Sequence, residues 1–152
     1  MKIAIIGLGL IGGSLARAFS LYTEHTVIGY DINKKSLDLA LSEGAISSDA
    51  ENVPLADIYF LALSPVATLN YVKENIGKMQ KGAIVTDVCG VKQMITEKCE
   101  KICAENGLKF VGGHPMAGRE VSGFENSVAD LFKNRSYIIT TTPTTDDDAV
   151  NT

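Results

Sequence analysis

Two short stretches of the chain carry residue types whose spacing could do chemistry. The first is Gly7-Leu8-Gly9-Leu10-Ile11-Gly12, a G-x-G-x-x-G run. It follows a β-branched segment at 2–6 and opens a segment of helical apolar spacing at 11–21. Asp31 lies nineteen residues past Gly12, at the end of the next strand. That context suits a dinucleotide pyrophosphate. Gly7 permits the tight strand-to-helix turn, Gly9 lets phosphates come close to the backbone, and Gly12 lets the helix pack on the strand. The backbone of Leu8, Leu10 and Ile11 belongs to the same cradle, and the helix N-terminus adds unpaired N–H groups and a positive dipole end. Asp31 can accept hydrogen bonds from the adenine-side ribose and would repel the extra phosphate of NADP, so NAD is the expected cofactor. Lys34 and Lys35 pull the other way. The alternatives are a plain turn or a flavin site.

The second stretch is Gly112-Gly113-His114-Pro115-Met116-Ala117-Gly118. It follows a predicted strand at 109–111, so it falls at the carboxyl edge of the sheet, where such folds bind ligands. The two glycines are expected to leave room for a ligand, and Pro115 to stiffen a turn. An imidazole placed there could take a proton from a substrate hydroxyl while hydride leaves the same carbon for NAD. A purely structural histidine is the competing reading. Ser64-Pro65 follows the apolar run at 58–63 at the same edge; these residues can cap the next helix and touch a cofactor as well. His25, in Tyr22-Thr23-Glu24-His25, reads as a solvated loop residue.

The elements that must position these groups alternate between strand and helix. Strands are expected at 2–6, 26–30, 58–63, 83–88, 109–111 and 137–141. Helices are expected at 11–21, from an Asn33 cap to about 43 with Gly44 at C′, at 65–76, and at 91–106 ended by Gly107. Alternation with short loops predicts an α/β fold of the Rossmann type: doubly wound, with a mainly parallel sheet and helices on both faces. After the loop at 140–145, Asp146-Asp147-Asp148 looks like the acidic first turn of another helix.

With 152 residues the chain has the length of one domain. Its apolar fraction of 45% and charged fraction of 21% exclude a disordered chain. A net charge of −4 argues against nucleic acid or an anionic membrane as a partner held by bulk charge. The apolar run at 3–15 is too short and too glycine-rich to span a membrane, and its glycines fit the nucleotide loop better than a signal peptide. Cys89, Cys99 and Cys103 contain no CxxC pair and fit free thiols of a reducing cytoplasm. Cys99 and Cys103, four apart on a helix face, read as small buried hydrophobes.

The His114-Pro115-Met116-Ala117-Gly118 segment, behind the Gly7-to-Ser14 run, resembles the prephenate and arogenate dehydrogenases of tyrosine biosynthesis. Thr86-Asp87-Val88-Cys89-Gly90-Val91-Lys92 and Arg119-Glu120-Val121-Ser122-Gly123 continue the likeness. The resemblance implies NAD-dependent oxidation of the ring hydroxyl of prephenate or arogenate, followed by loss of the ring carboxylate as CO2. It places the catalytic base on His114 and the cofactor on Gly7 to Gly12, Asp31 and Ser64-Pro65. Glu120 matches a glutamate of the substrate pocket. Arg119 stands at a variable position that bears on substrate choice; a solvated Arg119–Glu120 ion pair is the alternative. Many members carry a serine where this chain has Gly90. The helper role of that serine then falls to a backbone group, a water or Cys89. Lys92 keeps the family lysine, which either orients site groups or simply sits on the first helical turn. The family also has a helical C-terminal domain that forms a homodimer and contributes to the substrate site. This chain is expected to lack that domain, to bind NAD and to turn over little substrate by itself. Two further readings stand: a 3-hydroxyacid dehydrogenase or imine reductase, and a non-enzymatic nucleotide-sensing domain.

Overall fold

The computed structural model describes residues 1–50 and 53–152. Among these, seven strands form one sheet: β1 (Lys2–Ile6), β2 (Thr26–Tyr30), β3 (Ser48–Asp49), β4 (Ile58–Leu61), β5 (Ile84–Asp87), β6 (Lys109–Pro115) and β7 (Tyr137–Thr140). Their order is β3-β2-β1-β4-β5-β6-β7. The neighbouring strands run parallel up to β6, and β7 closes the edge antiparallel. The helices are α1 (Leu10–Tyr22), α2 (Lys34–Ser42), α3 (Pro65–Asn75), α4 (Gln93–Glu105) and a single turn, α5 (Asp147–Val150). This is the expected Rossmann-type architecture.

The inner strands β1, β4 and β5 are covered on both faces, because successive side chains point to opposite sides and meet helices on each. Ile3 and Ile5 of β1 face a core with Leu15 and Ala16 of α1 and Ala40 of α2. Ala4 and Ile6 face the opposite core, with Leu69 and Val72 of α3 and Ile95, Cys99 and Cys103 of α4. The chain order reverses between β1 and β4, and a crevice opens at their carboxyl ends, where such sheets hold ligands. Asn33 caps α2 as expected, accepting from the Lys35 N–H at 3.1 Å, and Gly44 beyond it has φ +68°.

Three features depart from the expectations. The two-residue β3 is too short to leave a pattern. The expected strand at 109–111 continues to Pro115, because Gly112 to Pro115 pair with β7 after the pairing with β5 has ended. His114 is therefore a strand residue opposite Ile138, not a turn residue. Residues 116–136, for which the sequence predicts no element, fold back across α1 through the 3-10 turns Phe124–Asn126 and Ala129–Phe132. Phe124 is fully buried there, and Arg17 stacks on its ring at 4.4 Å while donating to Ser127 Oγ at 2.8 Å. No helix of the described residues is long and apolar enough to cross a membrane.

Candidate active site

The glycine loop is shaped by backbone sterics. Gly7 has φ +93°, and a Cβ there would lie 2.6 Å from Ala62 O. A Cβ on Gly12 would collide with Gly7 O and come within 2.9 Å of Ala62 Cβ. At Gly9, the N-cap of α1, no protein atom lies within 4 Å of where a Cβ would be. The first intrahelical bond is Gly13 N to Gly9 O at 2.8 Å. The amides of Leu10, Ile11 and Gly12 precede any partner within the helix. The Leu8 side chain is in the core, and its N–H donates to Asp31 Oδ2 at 2.6 Å. Asp31 Oδ1 accepts from Asn33 N at 2.7 Å. Asp31 thus ties the end of β2 to the glycine loop, a role the motif alone does not display.

A cleft of about 490 Å³ adjoins this loop, lined by Gly7, Asp31, Ile32, Leu63, Asn70 and Tyr71, among others. The Tyr71 hydroxyl is buried with no hydrogen-bond partner among the described residues. Burial and the nearby Tyr30 and Tyr59 hold its pKa far above the usual tyrosine range. An orphaned hydroxyl in a cleft beside free helix-start amides suits a polar ligand such as a dinucleotide. Tyr71 was not found from the sequence, where it is one tyrosine in an ordinary helix. Ser64 is the N-cap of α3, yet its side chain makes no capping bond. Ser64 is exposed, and Pro65 takes the first helical position.

His114 stands at the carboxyl end of β6. Its Nδ1 lies 3.2 Å from Val88 O. A carbonyl only accepts, so Nδ1 carries the proton and Nε2 presents its lone pair. Nε2 has no hydrogen-bond partner among the described residues. A Cβ on Gly90 would sit 3.3 Å from His114 Cε1 and 3.7 Å from Nε2, so Gly90 places no side-chain atom against that edge of the ring. The expectation that Gly112 and Gly113 make room for a ligand is corrected. A Cβ on Gly113 would strike Tyr137 Oη and lie 2.8 Å from Asp87 O, and one on Gly112 would lie 3.2 Å from Thr140 and Thr96. These glycines admit protein neighbours.

Asp87 was not singled out in the sequence. It is fully buried at the end of β5 and pairs with Lys92 at 2.6 Å. Cys89 is buried beside it, and burial pushes its thiol above the ordinary range, which disfavours a thiolate there. Arg119 and Glu120 lie on the exposed loop after β6. They form no ion pair with each other among the described residues, and Arg119 reaches only Asn126 O, at 3.5 Å. Cys99 and Cys103 are core residues whose thiols burial pushes up to about 12. His25 is half-buried beside the Phe19 ring.

The family described as the nucleotide-binding domain of prephenate dehydrogenase matches residues 15–152. A prephenate dehydrogenase of Lactococcus lactis subsp. cremoris is 35% identical over 144 residues; the match covers 91% of this chain and 40% of that protein. The chain therefore spans well under half the length of that relative. A prephenate dehydrogenase from A. aeolicus, solved with hydroxyphenyl propionate and NAD+, superposes with a TM-score of 0.90 at 30% identity, over 99% of this chain and 54% of that one. An arogenate dehydrogenase from Synechocystis superposes with the same TM-score at 31% identity, over 99% of this chain and 54% of that one.

Proposed function

We propose that this chain, which belongs to the prephenate dehydrogenase family as its nucleotide-binding domain, is the NAD-binding half of an oxidoreductase acting on prephenate or arogenate, with His114 as its catalytic base. The observation that carries this reading is the imidazole itself. Its Nδ1–H is bound to Val88 O, and its Nε2 lone pair faces the open side left by Gly90, at the sheet edge that also carries the glycine loop.

NAD fits the residues present: Gly9 leaves open space, the start of α1 offers unpaired amides, Asp31 stands at the ribose side and the Tyr71 hydroxyl lacks a partner. Bound along that loop, NAD supplies the hydride acceptor. His114 Nε2 takes the proton of the ring hydroxyl as the hydride leaves the same carbon. The carbon–carbon bond to the ring carboxylate then breaks, CO2 departs, and the electron pair left behind makes the ring aromatic. Val88 O holds Nδ1–H throughout, and so keeps the ring in the orientation that presents Nε2. Glu120 and Arg119, on the loop just past His114, belong to the substrate side, with Arg119 bearing on the choice between substrates. Gly90 leaves at the ring edge the space that a serine side chain would fill.

The whole protein is proposed to be a cytoplasmic homodimer whose remaining residues complete the substrate site. The test is His114→Asn in the whole protein: NAD binding should stay and turnover should go. Turnover that survives the substitution removes His114 from the chemistry.

A further inference from the structure

The parallel ladder between β5 and β6 ends at Thr86–Val111, three residues short of His114. Beyond that point the edge of β6 that faces β5 has no ladder to hold it. Two side chains take over. Asp87 Oδ1 accepts from Gly113 N at 3.3 Å, and Oδ2 accepts from Cys89 N at 2.9 Å and from Lys92 Nζ at 2.6 Å. The same ammonium donates to Gly113 O. That carbonyl belongs to the peptide unit that contains the backbone nitrogen of His114. On the β5 side, the carboxylate holds Cys89 N, and Val88, between Asp87 and Cys89, supplies the carbonyl that receives the His114 ring. Both partners of the His114–Val88 bond are thus fastened to one ion pair.

We propose that Asp87 and Lys92 are a positioning pair, which sets the His114 imidazole against Val88 O and so fixes the direction of Nε2 beside Gly90. The proposal rests on the reading of His114 as the base. Its physical argument is one of cost. Asp87 has no exposed side-chain surface, and the Lys92 side chain is 16% exposed. Burying two charges is expensive, and apolar residues of similar volume often stabilise a fold as well or better. An apolar pair could not bond to the N–H and the C=O of Gly113 together with the N–H of Cys89. What the charges add is the relative placement of two chain segments where the sheet no longer provides it. Placement matters because a shift of about 1 Å at a reacting group can cost on the order of a hundredfold in rate.

The test uses the whole protein and three variants. Asp87→Asn combined with Lys92→Met removes both charges at nearly constant volume and leaves no unpaired ion behind. Its kcat should fall about 10- to 100-fold, with KM and the NAD Kd within about twofold of the parent. In a nitrogen–proton NMR spectrum the His114 Nδ1–H signal should broaden or move. A kcat within about twofold of the parent, with that signal unmoved, overturns the proposal and leaves the pair a purely structural device. Lys92→Arg keeps the charge beside Asp87 but alters the reach to Gly113, and so tests the idea even where the double variant fails to fold. It should lose kcat without losing NAD affinity, and unchanged kcat overturns the proposal. His114→Asn is measured alongside. If it keeps its rate, the reading of His114 as the base has failed, and the imidazole signal in the double variant still reports whether the pair positions the ring.

Discussion

The glycine loop and the histidine segment, two ends of the site along the carboxyl edge of the sheet, are held by different physics. At the glycine loop, shape comes from the backbone: Gly7 and Gly12 are required because Ala62 and Gly7 O occupy the space of any side chain. The fastening there is one carboxylate holding backbone amides, with Asp31 bound to Leu8 N and Asn33 N. At the histidine end, shape comes from a buried ion pair that ties the end of β5 to β6, with Asp87 bound to Gly113 N and Val88 O to the His114 ring. The first end is rigid through steric exclusion and tolerates little bulk. The second is defined by polar bonds, and its failure mode is an unpaired ion. A mutation series should therefore divide binding from chemistry along this line.

The largest effect is expected at the histidine end. His114→Asn should lower turnover about 10²- to 10⁴-fold, with the NAD Kd moving by no more than about twofold; steady-state kinetics and a fluorescence titration read the two quantities separately. If NAD affinity fell in step with turnover, the two ends would not be separable. Next comes Asp87→Ala, which strands the Lys92 ammonium against Gly113 O. A loss of about 3–5 kcal/mol in urea unfolding is expected, as for other buried pairs broken on one side. A loss below about 1 kcal/mol would mean that the pair is effectively solvated.

At the glycine loop two neighbouring substitutions should part company. Gly12→Ala forces a Cβ onto Gly7 O and should cost about 1–3 kcal/mol of stability. Gly9→Ala meets nothing within 4 Å and has an ordinary φ of −80°. It should leave stability within about 0.5 kcal/mol of the parent while weakening NAD binding. Equal melting temperatures for the two variants would contradict the steric account of this end. The smallest effect is one of pH. The Cys99 and Cys103 thiols, pushed up to about 12 by burial, stay protonated in the fold after the unfolded chain has begun to ionise, near pH 8.5. Their contribution is fully present below that pH and is lost as pH rises toward 12. The melting temperature should decline over that window, and a Cys99→Ala/Cys103→Ala variant should show a shallower decline. Parallel curves would contradict it.

The same contrast explains what could be read from the sequence. The glycine loop, Asp31, the Asn33 cap and the Gly44 terminator are legible because their residue types and spacing follow from helix and strand geometry. His114 is legible as a residue but not in its setting. Gly112-Gly113 looks like a turn because glycine disfavours strands, yet Tyr137, Asp87 and Thr140 claim the missing side-chain space from a distance. Asp87 and Lys92 give no local signal, since one buried carboxylate is indistinguishable among 18 acidic residues. The fold-back of 116–136 onto α1 is invisible for the same reason. Gly13 and Ser14 read as part of the nucleotide loop, whereas a Cβ on Gly13 would lie 2.7 Å from Phe124, and Ser14 Oγ accepts from Val128 N at 3.0 Å.

The central claim is that the carboxyl edge of the sheet holds NAD at the glycine loop and a proton-accepting His114 at the end of β6. The most direct measurement follows NAD reduction by the whole protein with prephenate and with arogenate in parallel, for the parent and for His114→Asn. The account predicts NADH formation with at least one of the two substrates, lost in the variant while NAD still binds. No NADH with either substrate, or an unimpaired variant, would contradict it.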